Sequence, residues 1–176
     1  KHERDFSKRG GSFEMIQLWV NLPKRHKMTK PRYQTIRNAD IPRLELGGSN
    51  YARVIAGKLG DLTGPAQTFT PITLIDVNMT TGTATFTMPI GQSSALFLLN
   101  GHVRINDYSL DGDAKLALLD TIGDTVKITA ESESRLLLFG GEPIGEPVAS
   151  YGPFVMNTRE ELMTAVDDYR AGRMGR

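Results

Sequence analysis

Short apolar segments separated by polar turn residues recur between residues 51 and 140, and none of them carries the spacing of a helix. Frequent short strands of this kind are typical of an all-β sandwich or barrel. The pattern therefore predicts an all-β domain with eight strands, at residues 51–57, 69–77, 83–88, 95–100, 102–106, 115–119, 125–130 and 135–140.

The sharpest turn signal in this region is Asn100-Gly101, which lies between two apolar runs. A type I′ turn needs positive φ at both central residues, and Asn-Gly supplies it, so we predict a hairpin here. Residues 111–113 and 131–134 are polar and predict two further turns, and Gly140-Gly141 is expected to end the last strand.

The N-terminal residues have a different pattern. Residues 14–22 mix β-branched and aromatic residues between preceding glycines and a following proline, which predicts a strand. Residues 23–50 contain Pro23, Pro31, Pro42 and a Gly-Gly-Ser-Asn cluster, which indicates a linker and a domain boundary.

The tail is the one segment with a helical pattern. Asn157 or Thr158 can cap this helix, Glu160 and Glu161 lie in its first turn, and Gly172 can end it. One apolar face is expected to pack on the wall of the β domain; its members are Leu162, Ala165, Val166 and Tyr169.

Composition narrows the possible functions. A chain of 176 residues can hold one domain, or one and a fraction. The absence of cysteine excludes disulfides, cysteine zinc sites and thiol nucleophiles. No apolar run approaches the roughly 20 residues that cross a bilayer, and no signal-peptide core follows the basic start, so we expect a soluble, cytoplasmic protein without a membrane partner.

Positive charge concentrates in residues 24–27, with Lys30 and Arg32 nearby. Such a cluster is either a solvated loop or a contact for an acidic partner. Tyr33 is the single adjacent aromatic residue, whereas a stacking surface for nucleic acid needs several, so no direct nucleic-acid binding is expected.

Four runs of sequence carry a family resemblance. Residues 17–23 (QLWVNLP) and 31–34 (PRYQ) resemble the strand and connector by which pirin-like proteins leave their first cupin barrel for their second. Residues 141–147 (GEPIGEP) and 151–161 (YGPFVMNTREE) resemble the end of that second barrel. By these runs the chain is identified as a member of the pirin family, in its bacterial branch.

The resemblance implies a fold and a division of the chain. It implies a cupin barrel, which is a double-stranded β-helix or jelly roll, forming the C-terminal half of a bicupin with a C-terminal α-helix. Residues 1–22 would be the last segment of the N-terminal cupin domain, 23–50 the connection, 51–150 the C-terminal cupin domain, and 151–176 the tail with the helix.

A cupin metal site takes two histidines, a glutamate, a turn glycine and one later histidine. With Gly101 as the turn glycine, Ser94 falls at the glutamate position and Ile90 and Met88 at the two histidine positions. None of these three suits a hard or borderline metal ion. We therefore predict that this barrel binds no metal, as the resemblance to pirins also implies.

The remaining histidines do not rebuild a site. His102 lies outside the ligand register, and residues 135–139 contain no histidine. His2 and Glu3 are adjacent and would point to opposite faces of a strand. His26 lies among lysines in a predicted loop.

The resemblance implies that an iron-type divalent metal is bound in the first barrel, with all ligands upstream of Lys1. We therefore expect no metal-binding, catalytic or cofactor-binding residue in this chain. Trp19 is a candidate wall of the metal pocket, and the alternative is an ordinary buried tryptophan.

For the intact protein the resemblance implies quercetin 2,3-dioxygenase-like activity on a flavonoid-like small molecule, with this chain inactive alone. The alternative is a non-catalytic regulatory module that binds a protein partner. A third hypothesis, that the chain is a truncation, predicts that residues 16–20 are exposed and prone to pair with another chain. The sequence leaves open the substrate, the metal, the choice between enzyme and regulator, and the oligomeric state.

Overall fold

The computed structural model describes residues 4–174, and in this part of the chain β-strands predominate. A short helix α1 (Arg4–Arg9) opens it, two 3-10 turns follow at Lys24–His26 and Asn38–Asp40, and helix α2 (Arg159–Arg170) closes it. The strands between are β1 (Arg43–Gly47), β2 (Asn50–Ala56), β3 (Lys58–Leu59), β4 (Leu62–Thr63), β5 (Ile72–Met79), β6 (Gly82–Thr87), β7 (Ser93–Asn100), β8 (His102–Ile105), β9 (Tyr108–Asp111), β10 (Lys115–Leu118), β11 (Thr125–Ala130), β12 (Ser134–Gly141), β13 (Ala149–Tyr151) and β14 (Phe154–Met156).

Two antiparallel sheets enclose the core. One has six strands in the order β1-β2-β5-β12-β7-β10, and the other has four in the order β6-β11-β8-β9. Inward-facing side chains alternate along the strands, as in β2, where every second residue is buried. The largest fully buried side chains come from both sheets and include Phe86, Ile75, Met79, Leu96, Leu98, Ile128, Leu136 and Leu138.

This architecture confirms the predicted all-β cupin fold. All eight strands predicted between residues 51 and 140 are present, and their ends agree with the prediction to within three residues. Strands β1 and β9 were missed because they are short, partly polar and lie at the edges of the two sheets. Strand β1 falls inside residues 23–50, the predicted connection, and the domain division itself stays a prediction.

The hairpin predicted at Asn100-Gly101 is wrong. Strand β7 belongs to the six-stranded sheet and β8 to the four-stranded sheet, so the turn carries the chain between sheets. Gly101 has φ of +108°, but Asn100 keeps negative φ. A Cβ atom on Gly101 would lie 2.4 Å from Ser134 Oγ, so close packing against β12 requires the glycine.

The strand predicted at residues 14–22 is also wrong. These residues have irregular structure, because no described strand lies beside them to supply the backbone hydrogen bonds that a strand needs. The apolar side chains of residues 16–20 are exposed, and Trp19 is 67% exposed rather than buried. Glu14 forms an ion pair with Arg135 of β12 at 2.8 Å.

The C-terminal helix follows its predicted caps. Thr158 is the N-cap, its Oγ1 accepts a hydrogen bond from Glu161 N at 3.2 Å, and the Glu161 carboxylate accepts one from Thr158 N at 3.1 Å. Gly172, with φ of +66°, follows the last turn. Leu162 and Ala165 are buried against β13 and β14, so the helix packs on this small hairpin rather than on the main sheets.

None of the helices within residues 4–174 is both long and apolar enough to cross a membrane.

Candidate functional site at the mouth of the sandwich

The three positions predicted to correspond to cupin ligands do not all reach the interior. Met88 and Ser94 are buried, whereas Ile90 is 78% exposed. Gln92, at 7% exposure, takes the interior place instead. The reason is that β6 ends at Thr87, so residues 88–92 form a turn in which the alternation of a strand no longer applies.

Gly140 of β12 packs closely against these side chains. A Cβ atom built on it would lie 2.6 Å from Ser94 Oγ, 3.2 Å from Gln92 Oε1 and 3.2 Å from Met88 Cε. Thr73 Oγ1 donates a hydrogen bond to Gln92 Oε1 at 3.3 Å. Met88, Gln92 and Ser94 also line a cavity of about 100 Å³, which we call the mouth, and its other lining residues include Asp120 and Asp124.

The donor atoms at the mouth do not suit a transition metal. Met88, Gln92 and Ser94 offer a thioether, an amide and a hydroxyl group, whereas iron-type sites use imidazole nitrogens and carboxylates. Across residues 4–174, no group of three or more His, Cys, Asp or Glu side chains is placed to hold a metal ion. The residues predicted to correspond to cupin ligands therefore do not fit such an ion.

Both described histidines have other contacts. His102 Nδ1 lies 3.1 Å from Asp111 Oδ1 across the β8–β9 pair. The ring of His26 lies 4.6 Å from that of Phe69, and its Nε2 accepts a hydrogen bond from Arg25 Nε at 3.1 Å. His2 and Glu3, which were weighed as ligands, lie outside the described residues.

Trp19, the candidate pocket wall, lines a separate cavity of about 320 Å³. Its neighbours there include Val20, Pro153 and Val155. A role for Trp19 beside a metal site stays a prediction.

The basic cluster of residues 24–32 makes several contacts within the chain. Lys24 Nζ forms an ion pair with Glu161 Oε1 at 3.1 Å, and Lys24 N donates to Glu146 Oε2 at 2.7 Å. Lys27 Nζ donates to Val155 O at 3.2 Å, and Arg32 donates to Gln67 Oε1 at 3.0 Å. Part of the cluster therefore attaches the connection to the rest of the chain instead of remaining solvated.

Glu161 has a pKa below the ordinary value of a glutamate. The hydrogen bond from Lys24 is the largest cause, followed by the backbone N–H of Asn157 at 3.0 Å. A lowered pKa in the folded state stabilises the fold above the unfolded-state pKa, and this contribution is lost as pH falls through the folded-state value.

We expect Glu161→Gln to lower the free energy of unfolding at neutral pH, because glutamine lacks the charge that pairs with Lys24 and forms weaker hydrogen bonds. The deficit relative to the parent should shrink as pH falls below the ordinary glutamate pKa. Urea unfolding at a series of acidic pH values measures this deficit, and Glu131→Gln, a substitution in a turn, is the control. A deficit that is the same at all pH values would contradict the linkage.

Three residues at or beside the mouth were missed from the sequence: Gln92, which lines it, and Thr73 and Gly140, which pack against Gln92. Gly140 carried a usable signal, since a glycine inside a strand often marks the close approach of another group. Nothing in the local pattern distinguished Gln92 from an ordinary turn residue, because its inward position depends on where β6 ends.

Comparison with known proteins agrees with this fold. The family model described as the pirin C-terminal cupin domain matches residues 74–175. A Pseudomonas aeruginosa protein provisionally named quercetin 2,3-dioxygenase is 41% identical over 98% of this chain and 60% of its own length. Pirin-1 of Arabidopsis thaliana is 38% identical over 91% of this chain and 58% of its own length.

Solved structures also match the fold of this chain. The crystal structure of a protein described as quercetin 2,3-dioxygenase from Acinetobacter baumannii superposes with a TM-score of 0.93 at 40% identity. The match covers 99% of this chain and 61% of that protein. The chain thus spans about three fifths of these relatives, and on the matched residues and the shared fold it belongs to the pirin family.

Proposed function

We propose that this chain is the C-terminal portion of a pirin-like protein whose metal-dependent chemistry resides in another cupin domain. The proposed activity of the intact protein is oxygenation of a flavonol, of the quercetin 2,3-dioxygenase type. The domain described here would support that reaction structurally and would not carry it out. On this proposal the chain alone is inactive.

The observation that carries the proposal is the donor set at the mouth. A cupin that activates a substrate at a metal ion needs imidazole and carboxylate ligands, and Met88, Gln92 and Ser94 provide neither. The names of the Pseudomonas and Acinetobacter relatives support the flavonol substrate, and both of those proteins are longer than this chain.

The exposed apolar side chains of residues 13–20 fit the same proposal. Phe13, Met15, Leu18, Trp19 and Val20 would find burial if residues 1–22 complete an N-terminal cupin domain. In that arrangement Trp19 would approach the metal pocket of the neighbouring domain.

The test is to incubate the chain with ferrous iron, remove excess metal, and measure retained iron, quercetin loss and oxygen uptake. We expect no retained iron and no turnover above a metal-free blank. The Acinetobacter baumannii relative, treated in the same way, serves as the positive control and should retain iron and consume quercetin.

Two results would overturn the proposal. Turnover by this chain with iron would show that its own residues supply a site. Failure of the longer relative to oxidise quercetin would remove the support for a flavonol substrate and would favour the alternative function, a regulatory module that binds a protein partner. In that case the exposed apolar side chains of residues 13–20 would contact the partner protein instead of an N-terminal cupin domain.

A further inference from the structure

A second cavity, of about 300 Å³, lies between the connection and helix α2 and shares no lining residue with the mouth. We call it the helix cavity. Its volume corresponds to about ten water molecules in the liquid, so it admits a guest of about ten heavy atoms. Met28, Met156 and Ala165 give it an apolar side.

The charges around the helix cavity do not cancel. The charged side chains that line it are Lys24, Lys27, Glu161 and Asp168. Lys24 forms an ion pair with Glu161 at 3.1 Å, and Asp168 forms one with Arg173 at 2.7 Å. These two pairs neutralise themselves, so the positive charge of Lys27 remains.

Lys27 is partly buried and has only neutral partners. Its Nζ donates to Asn21 Oδ1 at 2.6 Å and to Val155 O at 3.2 Å, and none of the ion pairs within residues 4–174 involves it. An ammonium group has three N–H donors, so one is left for a guest. A charge that is partly removed from water favours an opposite charge beside it, which a guest anion would supply.

Asn157 lines the same cavity and is 8% exposed. Its Nδ2 donates to Glu146 Oε2 at 3.0 Å and to Pro147 O at 2.9 Å, and these two acceptors fix the orientation of the amide. Its Oδ1 is the one buried side-chain nitrogen or oxygen atom in the described chain without a hydrogen-bonding partner. Buried acceptors are normally hydrogen-bonded, so a guest that brings a hydroxyl donor would complete this site.

The three features together select the kind of guest. Lys27 requires an anionic group, and a single positive charge matches a monoanion better than a phosphate ester, which carries nearly two charges. Asn157 Oδ1 requires a donor. Met28 and Met156 favour an aromatic body, because thioether sulfur atoms make favourable contacts with aromatic rings.

We propose that the helix cavity binds a small hydroxylated aromatic carboxylate, with its carboxylate on Lys27 Nζ and its hydroxyl group donating to Asn157 Oδ1. The inference goes beyond the proposed function and holds whether or not the intact protein oxidises flavonols. Its test needs neither iron nor oxygen, so its failure is distinguishable from failure of the proposed function.

The probes are para-hydroxybenzoate, benzoate, which lacks the hydroxyl donor, and para-hydroxybenzamide, which lacks the charge. In NMR titrations of the uniformly 15N-labelled chain, we expect para-hydroxybenzoate to shift the Asn157 side-chain NH2 signals saturably, with a dissociation constant on the order of millimolar for so small a ligand. Benzoate should bind about fivefold more weakly and the amide about tenfold more weakly.

Lys27→Gln removes the charge and should weaken binding of para-hydroxybenzoate about tenfold. Lys115→Gln is the matched control, since Lys115 is an exposed lysine of β10 and does not line the cavity.

A second pair of variants keeps the test decisive if Lys27→Gln fails to fold. Thr164 lines the helix cavity from an exposed position of α2. Thr164→Glu places a carboxylate there, which repels the anion, whereas Thr164→Gln adds nearly the same shape without charge. Binding to the glutamate variant should be about fivefold weaker than binding to the glutamine variant.

Four outcomes would overturn the proposal. The first is a shift of the Asn157 signals that rises linearly without saturation, and the second is equal affinity for para-hydroxybenzoate and either of the other probes. The third is equal binding to Lys27→Gln and Lys115→Gln, and the fourth is equal binding to the two Thr164 variants.

Discussion

Gly101→Ala is expected to reduce the free energy of unfolding by about 3–4 kcal/mol, a large fraction of the total for a domain of this size. Positive φ costs an L-residue about 1–2 kcal/mol. The new Cβ would also lie 2.6 Å from Glu133 O and 2.7 Å from Ser134 Cα, and overpacking against backbone adds about 1–3 kcal/mol. Urea unfolding followed by far-ultraviolet circular dichroism measures the change; the exposed Trp19 is a poor fluorescence reporter.

Gly123→Ala separates the two causes. Gly123 has φ of +93°, close to that of Gly101, but no heavy atom lies within 4 Å of the Cβ position. Its free energy of unfolding should fall only by the cost of positive φ, about 1–2 kcal/mol. If both variants are destabilised equally, the close approach of Gly101 to β12 does not contribute.

Arg53→Ala is expected to lower the free energy of unfolding by about 3 kcal/mol. Arg53 of β2 pairs across the strands with Asp76 of β5, and Asp76 is only 5% exposed. The Nε–Oδ2 distance is 2.8 Å, and the same guanidinium donates to Asn38 Oδ1 in the connection. Its removal leaves a buried carboxylate with one weak donor, Asn78 Nδ2 at 3.3 Å, and an uncompensated buried charge is strongly destabilising.

Two further variants make this prediction specific. Arg135→Ala breaks the exposed pair with Glu14 on the same sheet and should cost less than about 1 kcal/mol. The double variant Arg53→Met, Asp76→Leu should recover most of the stability, since an apolar pair can replace a buried ion pair. Chemical denaturation of all three variants gives their free energies of unfolding. Equal losses in Arg53→Ala and Arg135→Ala would contradict the role of burial.

Strand positions and the C-terminal helix could be predicted from the sequence because their signals are local. Alternation fixed the strands of the core, as in β11, where residues 126, 128 and 130 are buried. Thr158 is one of the two predicted caps, and Glu161, predicted in the first turn, forms a capping box with it. These features depend on neighbouring residues only.

The errors came from contacts between distant residues. Asn100-Gly101 has the composition of a hairpin turn, yet β7 is already paired on both sides by β12 and β10, so β8 must join the other sheet. Residues 14–22 have the composition of a strand, but pairing needs a partner that the described chain does not provide.

The candidate site was predicted in part for the same reason. Counting from Gly101 placed Met88 and Ser94 on the interior, where both are buried, and their correspondence to cupin ligands stays a prediction. The count failed at Ile90, where a turn replaces the strand, and it could not show that Thr73, Gln92 and Gly140 meet there. Those three come from three separate segments that only the folded topology brings together.

The bonds from Lys24 to Glu146 and Glu161 join the connection to the end of the chain without a covalent link. A protease that cut the exposed residues 30–37 would therefore leave two fragments held together by these bonds and by Lys27. Because exposed polar contacts of this kind are individually weak, such a nicked molecule should keep its mass only at high protein concentration and separate on dilution.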